Sequence, residues 1–482
     1  MNYRMIGYIC GKILMIEAGL MLAPLLISLI YRETLNYQMS WLLPLVALFL
    51  LGYLLSCRKP ANLHIFAREG CIIVALSWIL LSVGGAIPLI LNGDIPNVVD
   101  AIFEMASGFT TTGASICRNV EVLSHSVLFW RSETHLVGGM GVLVFALAVM
   151  PGIDSSTVHL MKAEVPGPVF GKIVARIRNT AQLLYKIYFS LTILLIGLLL
   201  LGGMNLFDAC IHAFGTAGTG GFSNYVASVG HYHNLYFEIV IGIFMLIFGI
   251  NFNLFFFILI GQVRKALKSE ELLTYLAIVT LNVLLIAASL YPQVLNVGES
   301  LRQAFFSVSS IITTTGYATA DFASWPLFAQ MLLLLLMFLG ACAGSTGGGF
   351  KVSRLIILCK ASLHQLRNIR EPNRIQVIRM DGRTINKDDV AQVRNYLAVY
   401  LFMFIAFTLL ITLDTPDFLS AVSSVAATFN NIGPGLGVFG PSYSFADASY
   451  FSKVIYSLAM IAGRLEIYPM LILLSPRTYL RR

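Results

Sequence analysis

Long runs of apolar residues alternate with short polar segments along almost the whole of the 482-residue chain. Several of these runs reach the roughly 18–20 residues that a helix needs to cross a bilayer. The run from Ile13 to Ile30 contains Glu17 and lacks a clear cleavage site, so we interpret it as a retained first span. The pattern predicts ten spans, at about 5–30, 37–57, 70–92, 127–150, 181–203, 234–260, 272–292, 326–350, 393–413 and 451–475.

After the first two spans, one unit occurs four times along the chain. Each copy contains a span, a less hydrophobic segment of roughly ten residues that is too short to cross a bilayer, a polar run with a glycine, and a second span. A turn that ends a helix would explain one such run but not four aligned ones. The four middle segments align without gaps: DAIFEMASGFTTTGAS (100–115), DACIHAFGTAGTGGFS (208–223), QAFFSVSSIITTTGYA (303–318) and SAVSSVAATFNNIGPG (420–435).

The alignment brings four consecutive residues of every copy into register, and the last of the four is always glycine. We call these four-residue segments runs 1 to 4, and they are the candidate binding residues. They are Thr110, Thr111, Thr112 and Gly113; Gly218, Thr219, Gly220 and Gly221; Thr313, Thr314, Thr315 and Gly316; and Asn430, Asn431, Ile432 and Gly433.

The chemistry of these runs suits a cation. Backbone that leaves helical geometry at membrane depth is tolerated only where it is buried in protein or lines an aqueous path, so four re-entrant half-helices can meet around one axis. Glycine allows successive carbonyl groups to turn toward that axis, and rings of carbonyl oxygens can replace the hydration shell of potassium. The partially negative C-terminal ends of the half-helices also favour cations. No carboxylate lies within the runs, which disfavours a site for divalent ions.

We therefore expect an all-α polytopic membrane protein. Four span–pore-helix–span repeats would surround one central pore with pseudo-fourfold symmetry, beside two extra N-terminal spans. The expected boundaries are 1–60 for the additional helices, then 61–160, 161–268, 269–392 and 393–482 for the four repeats.

Composition and charge agree with this prediction. Apolar residues make up 57% of the chain and charged residues only 12%, against about 25% charged in soluble proteins. The net charge of +8 is concentrated in loops on one side, which predicts cytoplasmic termini by the positive-inside rule and not nucleic-acid binding. The basic residues on that side are Arg58, Lys59, Arg68, Lys162, Lys172, Arg176, Arg178, Arg264, Lys265, Lys268, many within 351–394, and Arg477, Arg481 and Arg482.

Other function classes find less support. The seven cysteines are scattered without metal spacing, and His231 and His233 form an HxH in a loop that is typical of a solvated turn. A nucleophile–base pair or HExxH would point to an intramembrane enzyme, and neither is present. A secondary carrier usually has two halves of inverted topology, whereas the four units here enter and leave on the same side. A purely structural membrane subunit would not require the repeated runs.

Two features outside the runs suggest a gate. The stretch AGSTGGGFK (343–351) interrupts the eighth predicted span, and its spacing does not fit a phosphate-binding loop. It is either a kink or a hinge, since clustered glycines weaken a helix by up to roughly 1 kcal/mol each. Arg464 lies inside the last span, where an ionised arginine costs about 2.5–3.5 kcal/mol. Carbonyl groups or an acid of another helix could hold it, or its charge could be a barrier on the ion path. The candidate gate residues are Gly344, Ser345, Thr346, Gly347, Gly348, Gly349, Lys351 and Arg464.

Several motifs resemble those of the membrane subunit of bacterial Trk/Ktr potassium uptake systems, which are related to fungal Trk and plant HKT transporters. The resemblance runs nearly from end to end, and the two extra N-terminal spans favour the TrkH/TrkG type over the KtrB type. The fourth run departs from TTTG, as it commonly does in this family. The motifs are TTTGAS, GTGGFSN (218–224), TTTGY (313–317), NNIGPG (430–435), RIRNTAQLLYKIY (176–188), GSTGGGFK (344–351) and GRLE (463–466).

The resemblance implies more than the residues alone establish. It implies potassium as the transported ion with no cofactor, a filter built from four pore loops, and gating by the glycine-rich stretch. Some relatives with serine at the first filter glycine favour sodium, so Gly113 implies potassium. The resemblance also implies a homodimer in the bacterial inner membrane and a cytosolic ring of nucleotide-binding TrkA-type subunits. It leaves open whether transport is passive or coupled to protons. Surfaces available for docking are 151–180, 261–271 and 351–394.

Overall fold

A computed structural model describes residues 1–60, 65–141, 177–371 and 377–479 of the protein. Most of the described chain is helical. The first 60 residues form α1 (Tyr3–Leu20), α2 (Leu22–Ile30) and α3 (Leu35–Ser56). Together α1 and α2 cover the first predicted span, and α3 covers the second.

The rest of the described chain follows the order of the four sequence units. The first has α4 (Ala67–Asn92), α5 (Val98–Phe109) and α6 (His125–Gly139), and the second has α7 (Ile177–Leu201), α8 (Leu206–Gly218), α9 (Leu235–Phe248), α10 (Phe252–Leu259) and α11 (Val263–Leu267). The third has α12 (Glu270–Val294), α13 (Val297–Ile312), α14 (Leu327–Phe338) and α15 (Val352–Arg370). A two-stranded hairpin, β1 (Arg379–Met380) and β2 (Arg383–Thr384), leads to α16 (Lys387–Ile411), α17 (Phe418–Phe429), α18 (Tyr450–Arg464) and α19 (Tyr468–Leu474).

Each unit contains one short helix, and the four short helices are capped at their N-termini in the same way. The helices α5, α8, α13 and α17 contain 12, 13, 16 and 12 residues. At 1.5 Å per residue they are about 18–24 Å long, less than the roughly 30 Å of a bilayer core. An asparagine or aspartate side chain accepts a backbone hydrogen bond at each N-terminus, which satisfies donors that the helix leaves unpaired. These caps are Asn97, Asn205, Asn296 and Asp417.

Six helices of the described residues are long and apolar enough to cross a membrane, and a seventh span counts if one bent pair is included. Large apolar side chains on their outer faces are exposed, as on a surface that faces lipid. Examples are Leu54, Ile193, Leu281, Phe402 and Leu409. Several apolar spans are therefore present, and the full set of ten stays a prediction.

The sixth predicted span, 234–260, is not one straight helix. The chain bends by 91° between α9 and α10. The side chain of Asn251 caps α10 by accepting from the Asn253 amide at 3.0 Å. The carbonyl groups that the bend frees, those of Phe248 and Gly249, accept from the amides of Thr346 and Cys342. The break is therefore stabilised by the glycine-rich stretch of another unit, a contact that hydropathy does not reveal.

In the remaining three units, too, the second predicted span is either interrupted or lies partly outside the described residues. The helix α14 ends at Phe338, as the glycine-rich stretch predicts. The predicted span 451–475 divides into α18 and α19, because Glu466 and Ile467 take positive φ values of 57° and 70°. The helix α6 ends at Gly139, and residues 142–150 of the predicted span 127–150 lie outside the described residues.

Candidate functional site

The four runs share one backbone conformation at the C-terminal ends of α5, α8, α13 and α17. The second residue of each run is left-handed: φ is 55° at Thr111, 54° at Thr219, 60° at Thr314 and 59° at Asn431. The next amide donates back to the helix, from Thr112, Gly220, Thr315 and Ile432, at 2.8–2.9 Å. A residue other than glycine in this region costs of order 1–3 kcal/mol and persists only where its surroundings enforce it. The repeat found in the sequence is thus also a repeat in backbone geometry.

The final glycine of each run lies against the backbone of the next run, and the four contacts form a closed cycle. A Cβ built on Gly113 would overlap the Gly220 carbonyl oxygen, one on Gly221 would overlap that of Thr315, and one on Gly316 would overlap that of Ile432. A Cβ on Gly433 would lie 2.7 Å from the Thr112 carbonyl oxygen, which closes the cycle. The four runs are therefore arranged around one axis in chain order, and a side chain at any of these glycines would collide with the neighbouring run.

The backbone carbonyl groups of the runs are largely unused by the protein. Among the sixteen carbonyl oxygens, only that of Gly218 accepts a hydrogen bond within the described part of the chain, from the Thr219 hydroxyl at 2.7 Å. Buried carbonyl groups normally have partners. The other fifteen carbonyl oxygens have no hydrogen-bond donor among the described residues and remain available as acceptors.

Threonine side chains brace the backs of two runs. The Thr110 and Thr112 hydroxyls lie 2.7 Å apart, and those of Thr313 and Thr315 lie 2.8 Å apart. The Thr110 hydroxyl also donates to the Ala106 carbonyl at 2.6 Å. These contacts tie the side chains to the protein behind the run. The hydroxyls of the first and third residues therefore brace runs 1 and 3 from behind.

Run 4 uses different side chains for the same purpose. The Tyr400 hydroxyl donates to the Asn430 amide oxygen at 2.7 Å. The Asn431 amide nitrogen donates to the Thr112 hydroxyl and to the Met460 carbonyl, both at 2.9 Å. Run 4 is therefore bonded directly to run 1, as the cycle of glycines requires.

The cycle lies between two cavities of unequal size. A cavity of about 810 Å³ contacts the final glycine of all four runs. A cavity of about 100 Å³ is lined by the glycine-rich stretch together with Lys351 and Arg464. The stretch contacts the other end of the runs, because the Gly348 amide donates to the Thr314 hydroxyl at 2.7 Å. The wide cavity therefore opens on the final glycines, and the narrow one lies at the glycine-rich stretch, which itself contacts run 3.

The glycine-rich stretch is held at both ends. The Gly340 amide donates to the Phe350 carbonyl at 2.8 Å, which closes its neck. One carboxylate oxygen of Glu271 accepts from the Ala343 amide at 2.7 Å and from the Ser353 amide at 3.1 Å. Hydropathy gave no reason to select Glu271. It acts here as a second clamp on the stretch.

Two cations predicted for the gate contact the stretch directly. Lys351 is buried, and its ammonium group donates to the carbonyls of Gly347 and Gly348. The Arg464 guanidinium donates to the Thr346 carbonyl at 2.8 Å and, across the cavity, to the Gly138 and Gly139 carbonyls at 2.5 and 2.7 Å.

The acid nearest to Arg464 in the sequence, Glu466, is paired with a different arginine, while Arg464 donates to carbonyl groups. Glu466 pairs with Arg354 at 2.6 Å. Carbonyl groups therefore contact Arg464 in this structure, and the role of its charge as a barrier on the ion path stays a prediction. The same contacts join the stretch to α6.

One buried ion pair was missed by reasoning from the sequence. Glu104, in the middle of α5, bonds to Arg131 of α6 at 2.8 Å, and both side chains are almost fully buried. The carboxylate also accepts from the Ser115 hydroxyl and the Ile116 amide, both at 2.9 Å. It therefore fixes the chain that leaves run 1. The available signal was an ionisable residue within two otherwise apolar segments.

Removing one partner of this pair is expected to destabilise the protein strongly. Glu104→Gln leaves the Arg131 charge buried without a counter-charge, which costs about 3–5 kcal/mol of unfolding free energy. The control is Asp447→Asn, which breaks the exposed Arg118–Asp447 pair, where both side chains are more than 70% exposed, and should cost about 0–1 kcal/mol. Denaturant unfolding in detergent micelles measures both. Equal losses in the two variants would contradict the assignment.

Some predicted surfaces lie outside the described residues. They include most of the 151–180 loop with Lys162, Lys172 and Arg176, the short segment 372–376, and the terminal Arg481 and Arg482. Of His231 and His233, the first stacks on Tyr225 with ring centroids 3.6 Å apart. Within the described ranges, no group of three or more potential ligands could hold a metal ion through side chains.

The chain is similar to known proteins over almost its whole length. The sequence model of the family described as TrkH: Cation transport protein matches residues 42–479. The chain is 36% identical over 485 residues to the Trk system potassium uptake protein TrkH of Salmonella typhimurium, covering 99% of each chain. It is 33% identical over 482 residues to TrkG of Escherichia coli, covering 98% of each.

A solved structure is similar throughout its length. The crystal structure of the potassium transporter TrkH from Vibrio parahaemolyticus matches with a TM-score of 0.89 and 34% identity, and the match covers 100% of both chains. The matches extend across the glycine cycle, the glycine-rich stretch and Arg464, and the relatives are transporters and not enzymes. The chain therefore belongs to the TrkH family of cation transport proteins.

Proposed function

We propose that the protein takes up potassium across the bacterial inner membrane through a filter formed by the four runs. The observation that carries the proposal is the closed cycle in which each final glycine abuts the carbonyl oxygen of the next run. Relatives that are similar over their full length are named as potassium uptake proteins. No cofactor is required, because potassium is the transported substrate.

The unused carbonyl groups supply the chemistry of binding. A potassium ion that leaves water loses its hydration shell, and rings of carbonyl dipoles replace it. The C-terminal ends of α5, α8, α13 and α17 add a partially negative potential at the same place. Because the runs contain no carboxylate, the site has dipoles and no fixed charge, which suits a monovalent cation that must also leave.

We propose that the glycine-rich stretch, 344–349 with Lys351, and Arg464 gate this path. The stretch lies under the filter and is bonded to run 3 through Gly348. The two cations hold it through carbonyl groups and place positive charge beside the narrow cavity. Opening would require the Arg464 bonds to Thr346, Gly138 and Gly139 to break. The stretch could then move, and the positive charge of Arg464 would no longer form a barrier on the path.

The remaining expectations concern assembly and topology. We propose that four repeats within 61–482 follow two additional helices, that both termini are cytoplasmic, and that two copies form a homodimer. The basic segment from Lys351 to Arg394 and the 261–271 loop offer cytoplasmic surfaces to a TrkA-type ring. Nucleotide would bind that ring, so regulation would reach the gate through α15, which begins directly after Lys351.

Reconstitution in liposomes tests the function directly. Purified protein is reconstituted into vesicles that contain potassium, rubidium, sodium or lithium at a higher concentration inside than outside. Cation flux is followed with a potential-sensitive dye. We expect potassium and rubidium to pass and sodium and lithium to be strongly excluded. Protein-free vesicles give the background, and a pH-sensitive dye in the same vesicles reports whether protons accompany potassium. Equal potassium and sodium flux, or no cation flux, would contradict the filter.

A further inference from the structure

Run 2 lacks the side chains that brace runs 1 and 3. Where those runs have threonine at their first and third positions, run 2 has Gly218 and Gly220. The hydroxyl pairs that link Thr110 to Thr112 and Thr313 to Thr315 are therefore impossible in run 2. The Gly220 backbone is nevertheless in the cycle, because its carbonyl oxygen abuts Gly113.

The space behind run 2 is filled by His135 of α6, a residue that neither the sequence motifs nor the proposed gate includes. His135 is completely buried. A Cβ built on Gly220 would overlap the His135 ring, and the three nearest atoms are all ring atoms of that side chain. A Cβ built on Gly218 would instead overlap the backbone carbonyl oxygen of His135. One residue thus fits into both of the gaps that the missing side chains leave.

The contact is one of shape. Neither ring nitrogen of His135 has a hydrogen-bond partner among the described residues. The ring packs on Phe222, with centroids 4.3 Å apart, and the Arg131 guanidinium lies 4.1 Å from the same Phe222 ring. Because Arg131 is fixed by Glu104, the histidine is wedged between a rigid support and the backbone of run 2.

We infer that His135 is a positioning residue for the ion filter. Its ring takes the place of the threonine side chains behind runs 1 and 3 and holds the Gly220 carbonyl oxygen in the ion-binding cycle. The inference rests on the proposed function, because the exact position of the Gly220 carbonyl oxygen affects selectivity only if that oxygen coordinates the ion. It assigns a specificity-determining role to a side chain that does not itself touch the ion.

Removing the ring should loosen selectivity more than it reduces transport. In His135→Ala, run 2 can move backward into the space left by the ring, so the Gly220 carbonyl can adjust to a smaller cation. We expect the ratio of potassium to sodium flux to fall about tenfold, the change produced by ~1.4 kcal/mol of differential binding. Potassium flux should remain measurable, and gel-filtration profiles should match those of the unmodified protein. An unchanged ratio in a folded variant would overturn the inference.

A paired substitution separates positioning from general destabilisation. Gly220→Ala alone should abolish selective flux, because its Cβ would overlap the His135 ring. Combined with His135→Ala, the new methyl group enters the vacated space, and we expect most of the potassium-to-sodium ratio to return. Gly218→Ala is the matched control, since its clash is with the backbone carbonyl of residue 135, which alanine retains. Rescue of Gly218→Ala, or failure to rescue Gly220→Ala, would contradict the mechanism.

Failure of this inference is distinguishable from failure of the proposed function. If the unmodified protein conducts potassium and sodium equally, the filter itself is wrong. If it selects potassium and His135→Ala selects equally well, only the role of His135 is wrong.

Discussion

Replacing Gly113 with serine should reduce the ratio of potassium to sodium flux by at least about tenfold, which corresponds to ~1.4 kcal/mol of differential binding. Gly113 has a φ of 78°, and a side chain there meets the Gly220 carbonyl oxygen of the neighbouring run. The carbonyl must move away, so one oxygen of the coordination shell no longer matches potassium. The serine hydroxyl adds a different ligand at the same place.

The control for Gly113→Ser is the same change at Gly93. Gly93 also has a positive φ, 88°, but no atom lies within 4 Å of a Cβ built on it. Gly93→Ser therefore reproduces the cost of a left-handed serine without the collision. Flux in liposomes with potassium or sodium gradients measures both variants. If Gly93→Ser lost selectivity equally, or if Gly113→Ser kept it, contact between runs would not be the basis of discrimination.

Replacing Arg464 with alanine should increase potassium flux by about tenfold or more. The guanidinium donates to three carbonyl groups, on the glycine-rich stretch and on α6. A hydrogen bond from a charged group contributes about 1.5–3 kcal/mol, so losing even one shifts the closed-to-open equilibrium about tenfold. Removing the charge also lowers the barrier to a cation in the narrow cavity.

Two further variants sharpen the Arg464 prediction. Arg464→Lys keeps the charge but has a compact ammonium in place of the planar fork, so it should bond fewer carbonyls and give an intermediate flux. Arg264→Ala removes an exposed arginine outside the gate and should leave flux unchanged. Initial rates in liposomes without a cytosolic partner provide the measurement. A folded Arg464→Ala variant with normal flux would remove the barrier role.

The sequence predicted the family and the repeated runs because both depend on local pattern. Membership of the Trk family is confirmed, and several apolar spans are present. The ungapped alignment placed Gly113, Gly221, Gly316 and Gly433 in one column, and in the structure these residues share positive φ values of 78–101°. A positive φ favours glycine, so this backbone requirement can be recognised from residue type in a single sequence.

Other features depend on tertiary contacts and could not be predicted in this way. The bend after Phe248 is stabilised by a stretch far along the chain: both the amide and the hydroxyl of Thr346 donate to the Phe248 carbonyl, across a separation of 98 positions. The contacts of Glu271 with the glycine-rich stretch and of His135 with run 2 likewise leave no local pattern in the sequence. Assignment of individual filter and gate residues stays a prediction until flux is measured.

Closure of the glycine cycle has a consequence for biosynthesis. The Asn431 amide bonds to the Thr112 hydroxyl across 319 positions of sequence, so the first run has no neighbour on that side until the last unit has left the ribosome. Contacts of such large sequence separation form late, because ordering the intervening chain costs entropy before the contact forms. The left-handed residues of the earlier runs lack part of the support that enforces them until then. A nascent chain with only three inserted units therefore lacks the contact that closes the cycle, so the proposed ion path can be completed only after the fourth unit is in place.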